Sequence, residues 1–202
     1  MEASLSCECG KLKGRLARVT PNSVNRILCY CDDCQAFAHY LGNADAILDP
    51  RGGSDISQMA PDHVQITEGR EHMACMRMSE KGIYRWYAAC CNTTIGNTGG
   101  YGMPFLGMVH AMVIPQEQSD SLFGPVKGAV QTKYAKPVGE ANDEDDKGFP
   151  LSTLFRFAKI ILGAKLSGAQ KRSPFFDSET KAPSVAPTVL TPEERQALLS
   201  RI

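Results

Sequence analysis

Eight cysteines constrain the fold of this 202-residue chain more than any other feature. Seven of them fall in three clusters, which in chain order are Cys7-Glu8-Cys9, Cys29-Tyr30-Cys31-Asp32-Asp33-Cys34 and Cys90-Cys91. Two cysteines separated by one residue strain a mutual disulfide but readily share one metal ion. Zn²⁺ takes about four nitrogen or sulfur ligands in a tetrahedron. The spacing therefore favours zinc binding over disulfide bonds.

The three clusters divide into two predicted zinc sites. The middle cluster supplies three thiolates, the number that zinc takes from protein when its fourth position stays open for water or substrate. The first cluster supplies two thiolates and needs a distant partner segment, for which the last cluster is the natural candidate. We expect the first and last clusters to form a closed structural site and the middle cluster to form an open one.

The remaining thiol and imidazole groups are weaker candidates. The middle cluster has a second interpretation, as a structural site completed by a histidine such as His39 or by a further cysteine. Cys75 lies in an alternating, strand-like run and is predicted to be a buried and inert thiol. The four histidines form no spaced motif, so we expect them not to be ligands: His39, His63, His72 and His110.

Composition excludes several classes of protein. The chain has 22 Lys and Arg against 22 Asp and Glu, so it lacks the basic excess of a typical nucleic-acid-binding protein. Its 43% hydrophobic content excludes a disordered chain. No segment has the pattern of a secretory signal, and the most apolar stretch, 151–166, is too short to span a bilayer. We expect a cytoplasmic protein, in a compartment where thiols stay reduced.

The order of the cysteine motifs resembles that of the glutathione-dependent formaldehyde-activating enzyme (GFA) family. Cys-x-Cys-Gly at 7–10 precedes Cys-x-Cys-x-x-Cys at 29–34. An aromatic strand then leads into a knuckle-like turn, in the sequence Arg85-Trp86-Tyr87-Ala88-Ala89-Cys90-Cys91-Asn92-Thr93. The resemblance covers about half of the chain, residues 5–100.

The resemblance implies a mainly β, α+β fold, the GFA tent, with two zinc ions. It assigns Cys7, Cys9 and Cys91 to the structural zinc and the middle cluster to the functional zinc. The activity it implies is adduct formation between formaldehyde and glutathione, classed as a carbon–sulfur lyase. The third motif departs from the family pattern, because Ala88 stands where the family has its first knuckle cysteine. Cys90 is the predicted substitute, provided that the turn bends enough for two adjacent cysteines to reach one metal.

Few other groups near the open cluster point to chemistry. Asp32 and Asp33 are either proton carriers and ligand-orienting groups or merely solvated side chains. The ring of Tyr30 is a candidate wall for a pocket. No motif identifies glutathione-binding residues or a nucleophile paired with a base.

The chain divides at about residue 135. Residues 1–135 form the predicted zinc-binding β domain, in which 64–66, 74–78, 83–87 and 109–114 have strand patterns. Residues 136–202 form an acidic linker, with five acids in 140–146, and a helical extension. Thr191, Pro192 and Glu194 have the pattern of a capped helix start.

The stretch 151–166 is predicted to be a helix with one narrow polar stripe. The stripe contains Ser152, Arg156, Lys159 and Gly163, and the other faces are mostly apolar. Such a helix packs on the β domain, pairs in a homo-oligomer or lies on an anionic membrane surface. Two functions follow from the sequence: a zinc-dependent enzyme of the GFA type, or a non-catalytic zinc-stabilised module that binds a partner or membrane through this helix.

Overall fold

A computed structural model describes residues 1–137 and 150–202 of the chain. The acidic stretch 140–146 lies outside these residues. The described strands are β1 (Ala3–Ser6), β2 (Lys13–Leu16), β3 (Asn25–Cys29), β4 (Ser54–Met59), β5 (Val64–Glu68), β6 (Met73–Arg77), β7 (Tyr84–Ala88), β8 (Thr93–Thr98), β9 (Leu106–Val109), β10 (Val113–Ile114), β11 (Ala129–Val130) and β12 (Thr188–Val189). The helices are α1 (Asp32–Leu41), α2 (Ala44–Ile47), α3 (Ser119–Phe123), α4 (Leu151–Ser167) and α5 (Pro192–Leu199).

The strands form two sheets. The smaller sheet has the order β10-β1-β2-β5, and the larger has the order β11-β3-β4-β9-β8-β7-β6-β12. Neighbouring strands are antiparallel except at the two edges of the larger sheet, where β11 runs parallel to β3 and β12 runs parallel to β6. The predicted sheet-based α+β class is therefore confirmed.

Most of the predicted elements are present. The strands predicted over 74–78 and 83–87 are confirmed as β6 and β7, which pair antiparallel as a hairpin around the Ser79–Gly82 connection. The helix predicted over 151–166 is confirmed as α4, and the capping box of Thr191 and Glu194 opens α5. The prediction of a single strand over 109–114 is wrong. His110 turns inward to hydrogen-bond the buried Ser57, so the chain leaves the larger sheet after β9 and joins the smaller sheet as β10.

The main core contains residues from both ends of the chain. Trp86 on β7 is fully buried, and its ring centroid lies 5.1 Å from that of Phe175 and 5.8 Å from that of Phe176. The indole N–H donates to Thr98 Oγ1 at 2.9 Å, which satisfies its polar atom inside the core. The chain after residue 150 therefore contributes to the same core as the strands.

The C-terminal elements also cover the larger sheet. β12 extends this sheet beside β6, and α5 packs against α1, where Arg195 Nη2 donates to Asp33 Oδ1 at 3.0 Å. In the described part of the chain, no helix combines the length and the apolar character needed to cross a bilayer.

Candidate metal centres

Four cysteines from two distant segments of the chain meet near the surface. Their sulfur atoms all lie within 4.8 Å of one another, and we call them the four-cysteine group: Cys7, Cys9, Cys90 and Cys91. The Sγ–Sγ distances are 3.6 Å for Cys7–Cys9, 3.7 Å for Cys7–Cys90, 3.2 Å for Cys9–Cys90 and 3.8 Å for Cys90–Cys91. A tetrahedron with metal–sulfur bonds of about 2.3 Å has edges of about 3.8 Å. The four sulfurs therefore fit one metal ion.

A tight turn after β1 aims the first two thiols inward. The Gly10 amide donates to the Cys7 carbonyl at 2.9 Å, and Gly10 has a φ of 75°, which favours glycine. The Leu12 amide then points at Cys7 Sγ at 3.2 Å. An N–H aimed at sulfur stabilises the thiolate form, which is the form that binds metal.

The turn after β7 brings two adjacent cysteines to the same group. Ala88 is fully buried at the end of β7, so the position at which the GFA pattern has a cysteine lies in the core. The chain bends immediately afterwards: the Cys91 amide donates to the Ala88 carbonyl, and Asn92 has a φ of 57°. This bend removes the alternation of an extended strand, so Cys90 and Cys91 both reach the group.

The thiols of this group differ in acidity. Burial raises the pKa of Cys91, but hydrogen bonds from Thr93 and from backbone amides outweigh it and lower the pKa to about 6. Burial raises the pKa of Cys90 to about 12, and the neighbouring Cys9 and Cys7 add to the effect. Four ionised thiols at these distances repel one another strongly, so full ionisation requires a bound cation.

Three further cysteines lie together at the start of α1. We call them the three-cysteine group: Cys29, Cys31 and Cys34, whose sulfurs also lie within 4.8 Å of one another. Cys29 ends β3, Cys31 is the residue before the first turn of α1, and Cys34 lies in that turn. Cys29 and Cys34 are buried, and Cys31 is partly exposed. In the part of the chain that the structure describes, no fourth histidine, cysteine or carboxylate ligand joins the group.

The start of a helix and a buried arginine favour negative charge at this group. Cys31 and Cys34 lie at the N-terminal end of α1, where the helix dipole is positive and lowers the pKa of a nearby thiol. Arg85 on β7 is 1% exposed, and its Nη1 lies 3.7 Å from Cys34 Sγ. Hydrogen bonds from Cys29 and Cys31 lower the pKa of Cys34 well below its usual value, and Arg85 lowers it further. Burial lowers the pKa of Arg85, but the nearby Cys34 and Cys31 outweigh it, so the guanidinium stays charged.

The polar residues expected near this group are committed to structural contacts. Asp33 lies between two arginines, with its carboxylate 3.7 Å from Arg85 Nη2 and 3.0 Å from Arg195 Nη2. It is therefore not merely solvated, and it orients Arg85. Tyr30 is buried, and its hydroxyl donates to Asp49 Oδ2 at 3.0 Å.

The other candidates lie apart from both groups. Cys75 is buried in the main core, as predicted, and burial raises its pKa to about 12. None of the four histidines joins either cysteine group. His110 Nε2 lies 3.0 Å from Ser57 Oγ and its Nδ1 lies 3.7 Å from Asp55 Oδ2, but Ser57 is fully buried and out of reach of a substrate.

Arg85 is the functional candidate that sequence reasoning missed. Its only signal is an arginine in a strand between aromatic residues, a pattern that also fits an exposed side chain. The contact with Cys34 arises because β7 passes the start of α1 in the folded chain.

The chain matches one family of proteins along most of its length. A model described as "Family of unknown function (DUF6151)" matches residues 2–185, a range that contains both cysteine groups and α4. No curated protein matches the chain.

Proposed function

The chain belongs to the DUF6151 family of unknown function, and from its two cysteine groups we propose a zinc protein with one structural centre and one thiol-binding centre. The donor sets support zinc, because clusters of three or four thiolates select a soft or borderline metal such as Zn²⁺. They do not suit Mg²⁺ or Ca²⁺, which prefer oxygen ligands.

The four-cysteine group is the structural centre of this proposal. It offers a complete tetrahedral set of sulfur atoms, which leaves no position for a substrate. It also joins the turn after β1 to the turn after β7, so a metal bound here ties the smaller sheet to the larger one.

One observation supports the functional role of the three-cysteine group: it has three sulfur ligands and, among the described residues, no fourth. A zinc ion held by three thiolates would bind an incoming thiol at its fourth position and lower the pKa of that thiol. The chain's own contribution is charge balance, since Arg85 lies beside the thiolates and offsets their negative charge. Because Cys31 is the partly exposed member, a small molecule would reach the group from the side of Cys31.

The resemblance to the GFA family supports a small thiol such as glutathione as the ligand and an aldehyde adduct as the product. In this reaction the thiol sulfur forms a bond to the carbonyl carbon of formaldehyde. The thiol proton ends on the carbonyl oxygen, so no oxidant or reductant is needed. The proposal includes a reducing compartment such as the cytoplasm, because both groups need free thiols.

Metal counting on purified variants tests the two-centre proposal. We expect two zinc ions per chain in the wild-type protein, one in Cys31→Ala and two in the control Cys75→Ala, whose thiol lies outside both groups. X-ray absorption at the zinc edge in Cys9→Ala would then report mainly the three-cysteine group, and addition of glutathione would add one sulfur ligand. A wild-type protein that holds only one zinc ion, and keeps that ion in Cys31→Ala, would contradict the proposal.

The lyase activity needs its own test. We expect the wild-type protein to speed the conversion of ¹³C-formaldehyde and glutathione to the adduct, followed by NMR, and Cys31→Ala to lose this effect. A rate equal to that of the uncatalysed mixture in the presence of both zinc ions would overturn the lyase step. The metal centres would stand in that case.

A further inference from the structure

The outward side of α4 is an apolar stripe. Its members recur at intervals of four, three, four and four residues, which places them on one side of a helix, and they are Leu151, Phe155, Ala158, Leu162 and Leu166. Leu151 is 83% exposed, Phe155 62%, Leu162 58% and Leu166 80%. Single exposed apolar residues are ordinary, but an aligned row of them marks an interaction surface.

The opposite side of the same helix packs on the body of the protein. Thr153 and Ala164 are buried, and the ring of Phe157 lies 4.9 Å from that of Phe105. Because these residues lie on the other side of the helix, the apolar stripe points away from the body. The helix therefore has two apolar sides, one buried against the body and one exposed.

Basic residues border the exposed stripe on both sides. At about 100° per residue, Lys165 lies on one edge, and Arg156 and Lys159 lie on the other. The Lys159 ammonium lies 4.7 Å from the ring of Phe155, so the charge and the stripe are in contact. Residues 150–176 contain five bases and no acid. An apolar stripe edged with bases is the pattern of a helix that lies in the interface of an anionic bilayer.

A cationic cavity opens beside this edge of α4. It has a volume of about 620 Å³ and lies between the helix and the body, with Phe155 among its lining residues. Its cationic lining residues are Arg18, Arg156, Lys159 and Arg172. Asp62, the one acid in the described lining, is 4% exposed and accepts from Arg18 Nη2 at 2.9 Å and from Arg172 Nη2 at 2.7 Å. The lining has a net charge of +3, which suits a phosphate group.

We propose that the exposed stripe of α4 and the cationic cavity together form a docking surface for an anionic phospholipid membrane. The apolar side chains enter the boundary of the acyl chains, and a lipid headgroup phosphate lies in the cavity. This role is independent of the metal centres.

Charge favours a membrane over a second copy of the chain. In a symmetric dimer through the stripe, the basic edges of two copies would approach each other, and no acid of 150–176 would offset them. An anionic bilayer instead supplies an apolar layer and negative charge at the same depth, which matches both parts of the surface.

Cosedimentation of the full-length protein with vesicles tests the proposal. We expect binding to phosphatidylcholine vesicles that contain about one third phosphatidylserine, no binding to pure phosphatidylcholine, and weaker binding at high salt. Leu162→Glu and Lys159→Glu should each lower the apparent affinity by about tenfold or more. Val189→Glu and Lys81→Glu introduce the same changes of charge at an exposed apolar and an exposed basic site outside α4, and they should leave binding unchanged.

Three results would overturn the proposal. The first is equal binding, or none, with the two kinds of vesicle. The second is a concentration-dependent dimer that Leu162→Glu disrupts in the absence of vesicle binding, which would assign the surface to a second copy. The third is saturable binding of inorganic phosphate that Leu162→Glu leaves unchanged, again without vesicle binding, which would assign the cavity to a free anion. Zinc content and circular dichroism of each variant verify that it has folded.

Discussion

The four-cysteine group joins segments that lie 83 residues apart in the sequence, whereas the three-cysteine group comes from one short segment at the start of α1. A bond between distant segments closes a long loop, so it restricts the unfolded chain and stabilises the fold. The thiols of one short segment lie close together in the unfolded chain as well, so a metal bound by them favours the folded state less. The difference indicates that the first group maintains the fold and that the second is free to serve chemistry.

The two groups are also physically connected. α1 begins at the three-cysteine group and, after about 15 Å of helix, ends next to Asn43, whose side chain donates to the Asn92 carbonyl beside Cys91. β7 connects them a second time, because it holds Arg85 near its start and leads directly into the turn of Cys90 and Cys91. The two elements that position the three-cysteine group, α1 and β7, therefore both end beside the four-cysteine group.

The largest expected effect is the loss of stability when the four-cysteine group is opened. Cys7→Ala should lower the free energy of unfolding by about 4 kcal/mol or more, because it breaks a metal site that is formed only in the folded state. Cys31→Ala should cost about 1 kcal/mol, since the three-cysteine group closes no long loop. Urea unfolding of the zinc-loaded proteins measures both values. Equal losses in the two variants would contradict the proposed division of roles.

Cys75→Ala is the matched control for Cys7→Ala. Cys75 is as buried as Cys7, at 2% exposed, but lies in neither group. We expect it to cost about 1–2 kcal/mol, the ordinary effect of a small cavity, with both zinc ions retained. If it destabilises the protein as much as Cys7→Ala, burial and not metal binding explains the first result.

His110 contributes a pH dependence that belongs to neither group. Burial lowers its pKa to about 4, below its usual value of 6.5. Between these two pH values the unfolded chain binds the proton and the folded one does not. This contribution is therefore fully present above pH 6.5 and decreases as pH falls towards 4, by roughly 3 kcal/mol in total.

His110→Gln should flatten the stability profile between pH 6.5 and 4 by this amount, measured by urea unfolding at a series of pH values. His39→Gln, at the end of α1, is the control and should keep the wild-type profile. The difference between the two stability profiles gives the part of the acid-induced loss of stability that His110 causes, apart from the part caused by protonation of the thiolates. An unchanged profile in His110→Gln would show that His110 does not cause it.

Arg85 distinguishes the two groups by their affinity for metal. Arg85→Met should weaken zinc binding at the three-cysteine group by about tenfold to a hundredfold and leave the four-cysteine group unchanged, because it removes the positive charge beside Cys34. Arg85→Lys keeps a positive charge, so its zinc affinity at the three-cysteine group should lie between those of the wild-type protein and Arg85→Met. A chromophoric chelator that removes the two ions in separate phases measures both affinities. Arg77→Met, on the adjacent strand, is the control, and an equal shift of both phases in Arg85→Met would contradict the assignment.

Much of the cysteine geometry could be predicted because metal sites impose local spacing. The Cys-x-Cys pairs and the doublet Cys90-Cys91 indicate their own grouping, and the structure brings them together. Arg85 could not be predicted, since its partner Cys34 is 51 residues away and no local pattern requires the contact. Which side of α4 is exposed could not be predicted either. A helix that is apolar on most faces does not show in its sequence which face the body will cover, and here tertiary packing selects the side of Phe157.

The smallest expected effect is that of removing the Thr93 hydroxyl, which tests whether a hydrogen bond, and not only packing, stabilises the four-cysteine group. Thr93 Oγ1 accepts from the Glu8 amide at 3.0 Å and lies 3.1 Å from Cys91 Sγ, so one hydroxyl links both halves of the group. Thr93→Val keeps the shape but leaves the amide unpaired, which should cost about 1 kcal/mol and weaken zinc binding there severalfold. It also removes a hydrogen bond that lowers the pKa of Cys91, so acid should release the ion at a higher pH.

Thr94→Val is the matched control: the Thr94 hydroxyl is buried without a hydrogen-bond partner among the described residues, so its removal should be neutral or slightly stabilising. If the two variants release zinc at the same pH, the hydroxyl of Thr93 has no part in holding the group, and the difference between the two centres rests on loop closure alone.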